Sequence, residues 1–357
     1  MSQLKNNRLL KAIWREPVDA TPIWIMRQAG RYLPEYRATR EKAGSFTTLC
    51  KTPELACEVT MQPLRRYALD AAIIFSDILT IPDAMGLGLE FVEGKGPQFA
   101  RPLQRAADIK KIVVPDLEKL SYVYDAIRLV RHELDNSVPL IGFCGSPWTL
   151  AAYMIEGKAT PGFPLIQTMR EKEPQLLHNL LDILAQSVCA HLNAQIEAGA
   201  EVVMLFDTWG GMLDTPNYEI FSLAYVKKIF AGLKRHYNDN KIPVILFTKG
   251  GHRWLETMMD SGCDTLGVDW EISLKEARAR VGSHLSLQGN MNPARLLDSP
   301  LAIQNEVARV LESFGSGSGH VFNLGHGITP DVPPEHVAIV VDAVHELSKP
   351  YHAKPNR

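Results

Sequence analysis

The chain has 357 residues, 46% hydrophobic and 22% charged, with a net charge of −2 and a pI near 6.6. That balance is globular rather than disordered, suffices for one large barrel or two ordinary domains, and supplies no global field to attract nucleic acid. The five cysteines, Cys50, Cys57, Cys144, Cys189 and Cys263, contain no C-x-x-C pair, which argues for reduced thiols and against a structural zinc site.

The chain opens on a polar stretch, Met1 to Arg8, without the apolar core of a signal peptide, and no apolar run nears the length of a membrane span. A soluble, cytoplasmic protein is expected. Leu9, Leu10, Ile13 and Trp14 form an apolar stripe, predicting a short helix over about 7–15 that plugs one end of the fold. Eight short apolar runs follow: Ile23–Met26, Ala71–Phe75, Pro139–Phe143, Val202–Phe206, Pro243–Phe247, Thr265–Val268, Leu285–Leu287 and Val321–Asn323. Runs apolar on both faces suit a covered parallel sheet. Eight of them alternating with amphipathic segments predict an α/β fold, a single-domain (β/α)8 TIM barrel over 1–357, with its active-site cleft at the C-terminal ends of the strands.

Helices are predicted over Pro53–Leu69, Leu117–Leu134 and Pro174–Ala198, and from Pro334 to about Leu347. Two more begin at Pro216, with Thr215 as N-cap, and at Pro300, with Ser299 as N-cap. The second connection carries a β-like insert at about 86–104, around Leu89–Gly96. Gly315–Gly319, Gly-Ser-Gly-Ser-Gly, looks like a phosphate cradle but precedes its strand. It is therefore expected at the bottom of the barrel, as a flexible linker.

Chemistry is sought just after each run. The stretch Arg27-Gln28-Ala29-Gly30-Arg31-Tyr32-Leu33-Pro34-Glu35-Tyr36-Arg37 places three guanidinium groups within eleven residues. Each is a planar fork matched to carboxylate or phosphate. If Gln28 to Arg31 form a helical turn, Arg27 and Arg31 share a face and repel unless an anion lies between them; a solvated basic turn is the plain alternative. Asp77 ends an apolar run. It is either a cap or buried partner of an arginine, or an ionised carboxylate on a pocket floor that accepts ligand N–H groups and stabilises positive charge, with nearby arginines keeping it ionised. His326 lies between two glycines, where backbone can crowd a ligand; a structural histidine is the alternative. Thr208 offers a hydroxyl or a cap, and Tyr153 a phenol or core packing. No His-x-His or His-x-Cys accompanies Asp77, Asp207 and Asp269 to suggest a metal, and no Gly-x-Gly-x-x-Gly follows a strand. Lys249, ending a run, is a minor Schiff-base option.

The run Met26 to Tyr36 resembles the first signature of the uroporphyrinogen decarboxylase family, and Gly142-Phe143-Cys144-Gly145-Ser146-Pro147-Trp148-Thr149-Leu150 its second. Phe75-Ser76-Asp77-Ile78-Leu79 and Asn323-Leu324-Gly325-His326-Gly327-Ile328 also fit, so the resemblance spans nearly the whole chain. It implies decarboxylation of the four acetate side chains of uroporphyrinogen III, and also I, to give coproporphyrinogen, on the haem and tetrapyrrole pathway. It further implies no metal or organic cofactor, and a cytoplasmic homodimer with barrel mouths facing each other. By position, Arg27, Gln28, Ala29, Gly30, Arg31, Asp77, Tyr153, Thr208 and His326 would bind substrate. Asp77 would stabilise the transition state, with Arg27 or Arg31 positioning the departing acetate. Two alternatives stay open: a methyltransferase, which needs a thiolate–histidine metal set not evident here, and a tetrapyrrole-binding carrier.

Overall fold

The computed structural model describes residues 4–92 and 96–353. Glu93, Gly94 and Lys95 of the predicted insert, and the first three residues of the polar start, lie outside the described residues.

One sheet of seven parallel strands runs in chain order: β1 (Ala72–Ile73), β2 (Leu140–Gly145), β3 (Val202–Asp207), β4 (Val244–Thr248), β5 (Thr265–Gly267), β6 (Ser286–Gln288) and β7 (His320–Val321). Each strand pairs with its successor, as in Ile141 with Val202 and Val203 with Val244. Alternation along β3 feeds two cores. Val202, Met204 and Phe206 join an inner cluster, whereas Val203 and Leu205 join the outer one under the helices. Both faces are buried, which is why these strands read as continuous apolar runs rather than alternating ones.

Helix α1 (Arg8–Ile13) sends Leu9, Ala12 and Ile13 into the inner cluster beside Trp24 and Ile141. It plugs the fold, as its stripe predicts. Truncating Leu9, fully buried there, would cost about 2–5 kcal/mol. The outer layer includes α2 (Pro34–Ala43), α3 (Pro53–Arg66), α4 (Ser121–Leu134), α5 (Pro147–Glu156), α6 (Pro174–Ala198), α7 (Pro300–Phe314) and α8 (Pro334–His352). Ser299 caps α7, its Oγ accepting from Ala302 N–H at 3.4 Å. Helix α6 matches its predicted limits, α3 stops three residues early, and α8 runs five residues past Leu347 with Pro350 inside it. Leu117–Leu120 is a 3-10 turn ahead of α4. Among the described residues, no helix is long and apolar enough to cross a membrane.

Three expectations need correction. The run Ile23–Met26 is not a strand. Ile23 makes an isolated parallel bridge to Phe322, but Ile25 N–H donates to Gln28 Oε1 at 3.1 Å and Met26 N–H to Asn323 Oδ1 at 2.9 Å. Side-chain carbonyls take the donors a ladder would use. The helix at Pro216 is capped not by Thr215 but by Asp214, whose Oδ1 accepts from Asn217 N–H at 3.0 Å. Thr215 Oγ1 instead accepts from the Trp254 indole at 2.9 Å. The Gly315–Gly319 loop precedes β7 as predicted, yet it is pinned rather than a loose linker. Arg278 donates to the carbonyls of Phe314 and Ser316 at 2.7 and 2.9 Å, and Gly317 N–H to that of Tyr351 at 3.2 Å.

The insert is an antiparallel hairpin, Leu89–Val92 with Gly96–Phe99. Its Phe91 lies 4.1 Å, ring to ring, from Phe46.

Candidate active site

A cavity of about 970 Å³ opens beside the C-terminal ends of the strands. All nine residues expected to bind substrate line it: Arg27, Gln28, Ala29, Gly30, Arg31, Asp77, Tyr153, Thr208 and His326. Residues separated by 299 positions in the chain thus share one wall.

The Arg27 segment is two successive tight turns, not the helical turn anticipated. Gln28 N–H closes the first on Ile25 O at 2.8 Å, and Leu33 N–H the second on Gly30 O at 3.0 Å. Arg27 has φ +66°, a left-handed conformation that an arginine rarely adopts and that marks functional turns. Gly30 is required by the same geometry, since a Cβ there would lie 2.7 Å from Arg27 O. Gln28 is fully buried. Its Oε1 accepts from Ile25 N–H and its Nε2 donates to Ala71 O at 3.1 Å. Its side chain therefore holds the turn. Arg37, the third guanidinium of the stretch, donates to the carbonyls of Arg31 and Tyr32 at 2.8 and 3.1 Å and does not line the cavity. Arg27 and Arg31 are exposed, and neither makes an ion pair or side-chain hydrogen bond among the described residues. Their charge is free for a ligand.

Asp77 lines the same cavity. Its Oδ1 accepts from Leu79 N–H at 2.8 Å, while Oδ2 has no hydrogen-bond partner among the described residues. Burial raises the carboxyl above its ordinary 3.8, against the opposing pull of the Leu79 N–H and the Arg27 charge. Arg27 favours the ionised form, as anticipated of the arginines, but desolvation outweighs it in setting the direction of the shift. Burial likewise drives His326 down to about 4, helped by Arg27 and Lys249, so it is a neutral imidazole at pH 7. The flanking glycines make room for neighbouring side chains of the site. A Cβ on Gly327 would lie 2.4 Å from Arg27 Cδ, and one on Gly325 would lie 2.8 Å from Trp270.

Tyr153 projects from α5, whose N-cap Ser146 accepts from Thr149 N–H at 3.1 Å. Burial raises its phenol, which stays protonated as a donor. Ser146 and Thr149 in turn donate to the buried Asp207 at 2.6 and 3.1 Å, and Ser222 to its other oxygen at 2.7 Å. Asp207 therefore ties α5 to the end of β3, where Thr208 follows.

Sequence reasoning missed Arg40, half-buried in the cavity wall, and an aromatic lining of Phe46, Phe75, Phe91, Phe143, Phe206 and Phe247. The strand pattern placed Phe75, Phe143, Phe206 and Phe247 in apolar runs covered on both faces. Only the tertiary packing distinguishes core from cavity. Lys249 is exposed and does not line the cavity. His252, Asp269 and Glu271 bring one possible metal-ligand atom each within 4.8 Å of one another. This group also lies outside the lining, and Asp269 already accepts from Gly250 and Glu271 N–H groups at 2.7 and 3.1 Å.

A family model described as uroporphyrinogen decarboxylase matches residues 4–347. A protein of that name from Proteus mirabilis is 61% identical over 353 residues, 99% of each chain. One from Hahella chejuensis is 60% identical, again over 99% of each. Among solved structures, a methyltransferase from Methanosarcina mazei superposes with a TM-score of 0.81 at 24% identity, covering 97% of this chain and 99% of its own. A B12-independent methionine synthase from Shewanella gives 0.56 at 9% identity, covering 83% of this chain and 87% of its own. These two similarities concern the fold.

Proposed function

The chain belongs to the uroporphyrinogen decarboxylase family, and from that premise we propose how its cavity performs the reaction. The enzyme is a carboxy-lyase of tetrapyrrole biosynthesis. Its substrate carries eight carboxylates on the rim of a ring of four pyrrole N–H groups; each acetate becomes a methyl with loss of CO2.

One juxtaposition carries the reading: Asp77, with an oxygen that has no hydrogen-bond partner among the described residues, lines the same cavity as Arg27 and Arg31, whose guanidiniums are likewise unpaired among them. The arginines take rim carboxylates. Each charge-assisted contact contributes about 1.5–3 kcal/mol. Asp77 accepts from the pyrrole N–H groups. The aromatic lining supports the macrocycle and keeps water away. Decarboxylation needs an electron sink. Protonation of a pyrrole at ring carbon makes a cation, and the C–CO2 bond breaks into it with release of CO2. A second proton fills the methylene left behind. Loss of the first proton from the ring carbon restores the pyrrole, so that one proton is consumed per CO2 released. No metal or organic cofactor enters this sequence. The Asp77 carboxylate favours the cation over the neutral ring, which is stabilisation specific to the transition state. Tyr153, Thr208 and neutral His326 complete the polar wall.

The fold reading extends in the same way. Ile23 reaches Phe322 beyond β7, and Asp70 N–H, before β1, donates to Ile23 O at 2.8 Å. These contacts support a single-domain barrel closed by an eighth, irregular staff. Two copies in the cytoplasm with cavities facing each other complete the proposal; sedimentation at micromolar protein tests the pairing.

Anaerobic incubation with uroporphyrinogen, followed by chromatographic counting of the carboxyl groups left on the product, tests the activity. Four are expected to be lost. Unchanged substrate that nonetheless binds would indicate a carrier.

A further inference from the structure

Asn323 lies two residues past β7, fully buried. Its Oδ1 accepts two backbone N–H groups, from Met26 at 2.9 Å and from Leu324 at 2.7 Å. Its Nδ2 is buried with no hydrogen-bond partner among the described residues. An unpaired buried amide nitrogen opposes folding. A small apolar residue would avoid that penalty but could accept neither N–H. The amide is held for its oxygen.

That oxygen grips the residue before Arg27. The carbonyl of Met26 is gripped in turn by Ile328 N–H at 3.0 Å. Between these two bonds, Gly327 packs directly on the Arg27 side chain. The knot therefore fixes the backbone that forces Arg27 to φ +66°, and it binds the Arg27 turn to the segment that carries His326. Left-handed backbone at a non-glycine residue persists only where its surroundings over-determine it. Here Asn323 supplies the N–H half of that constraint.

We infer that Asn323 is a positioning residue for the decarboxylation, acting through Arg27 and His326 rather than on substrate. The inference rests on Arg27 being a substrate-binding residue.

Asn323→Ala and Asn323→Asp test it, each alone and the first also combined with Arg27→Ala. N323A leaves two buried N–H groups unpaired and should lower kcat/KM about a hundredfold, the scale of an ångström misplacement. The loss should fall in the same parameter, KM or kcat, that Arg27→Ala moves. N323D keeps both acceptor bonds and should recover at least about tenfold of that loss. In the Arg27→Ala background, N323A should cost less than about threefold, because coupled residues are not additive. A merely structural asparagine would instead cost the same factor in both backgrounds, and that result overturns the inference, as does N323A with parental kinetics. Should N323A not accumulate as folded protein, N323D decides: activity within about tenfold of the parent supports the role, and a folded, inactive N323D refutes it. Arg27→Ala with parental activity would sink the reading of Arg27 itself. An impaired Arg27→Ala beside an unimpaired N323A sinks only this inference.

Discussion

Replacing Asp77 by Asn changes the charge and little else. The Asn oxygen can still accept from Leu79 N–H, as Oδ1 does at 2.8 Å. The amide nitrogen then takes the place of the free carboxylate oxygen, offering a donor to pyrrole N–H groups that need an acceptor. At an effective dielectric of about 20, opposite charges roughly 4 Å apart attract by about 4 kcal/mol. Losing that in the transition state slows the reaction about a thousandfold. Stability moves the other way. Burial holds the folded carboxyl above its ordinary 3.8, so the folded state binds that proton more tightly than the unfolded one. Ionised Asp77 therefore costs folding free energy; the cost is fully present above the folded pKa and absent below the unfolded one. Asp77→Asn should melt higher than the parent at pH 7, and the advantage should vanish below about pH 3.8. Anaerobic product analysis gives the rate, and thermal melts across pH give the stability. Turnover within about tenfold of the parent would refute the charge argument, being far short of the expected loss. A slow variant that also melts lower at pH 7 would show that Asp77 acts as a structural partner instead.

Gly327→Ala would place a Cβ 2.4 Å from Arg27 Cδ, so it should lower kcat/KM about 10–100-fold with little change in melting temperature; unchanged kinetics would show that Arg27 tolerates displacement. Arg31→Ala should weaken binding of polycarboxylate substrate by about 1.5–3 kcal/mol while leaving the melt nearly unchanged, and equal losses in both would mark a structural arginine. His191 and His320, pushed by burial from 6.5 to about 3 and about 4, bind protons less readily folded than unfolded. Stability should therefore fall as pH drops from 6.5 towards 4, by up to about 1.4 kcal/mol per pH unit for each, and His320→Gln should fall less steeply than the parent. Asp207→Asn turns one acceptor of a hydroxyl cluster into a donor, so it should cost about 1–3 kcal/mol in a denaturant melt; parental stability would mean that the hydroxyls repartner freely.

The sequence determined much of this protein by itself. Strands buried on both faces must be apolar throughout, so seven of the eight runs could be recognised without coordinates. Residues that end such strands are polar because they meet solvent or ligand, so Asp77, Thr208 and His326 could be named in advance. The Arg27 turn was legible as a candidate anion-binding segment because guanidinium is permanently charged. What local pattern could not reveal depends on contacts between distant segments. Gln28 and Asn323 turn Ile23–Met26 away from strand geometry by taking its N–H groups, and a side chain 297 positions away leaves no local trace. Phe143, Phe206 and Phe247 look identical to core in one dimension, since an apolar side chain carries no mark of whether it faces a helix or a cavity. The proton affinity of Asp77 was set by burial, and burial is a property of the whole fold.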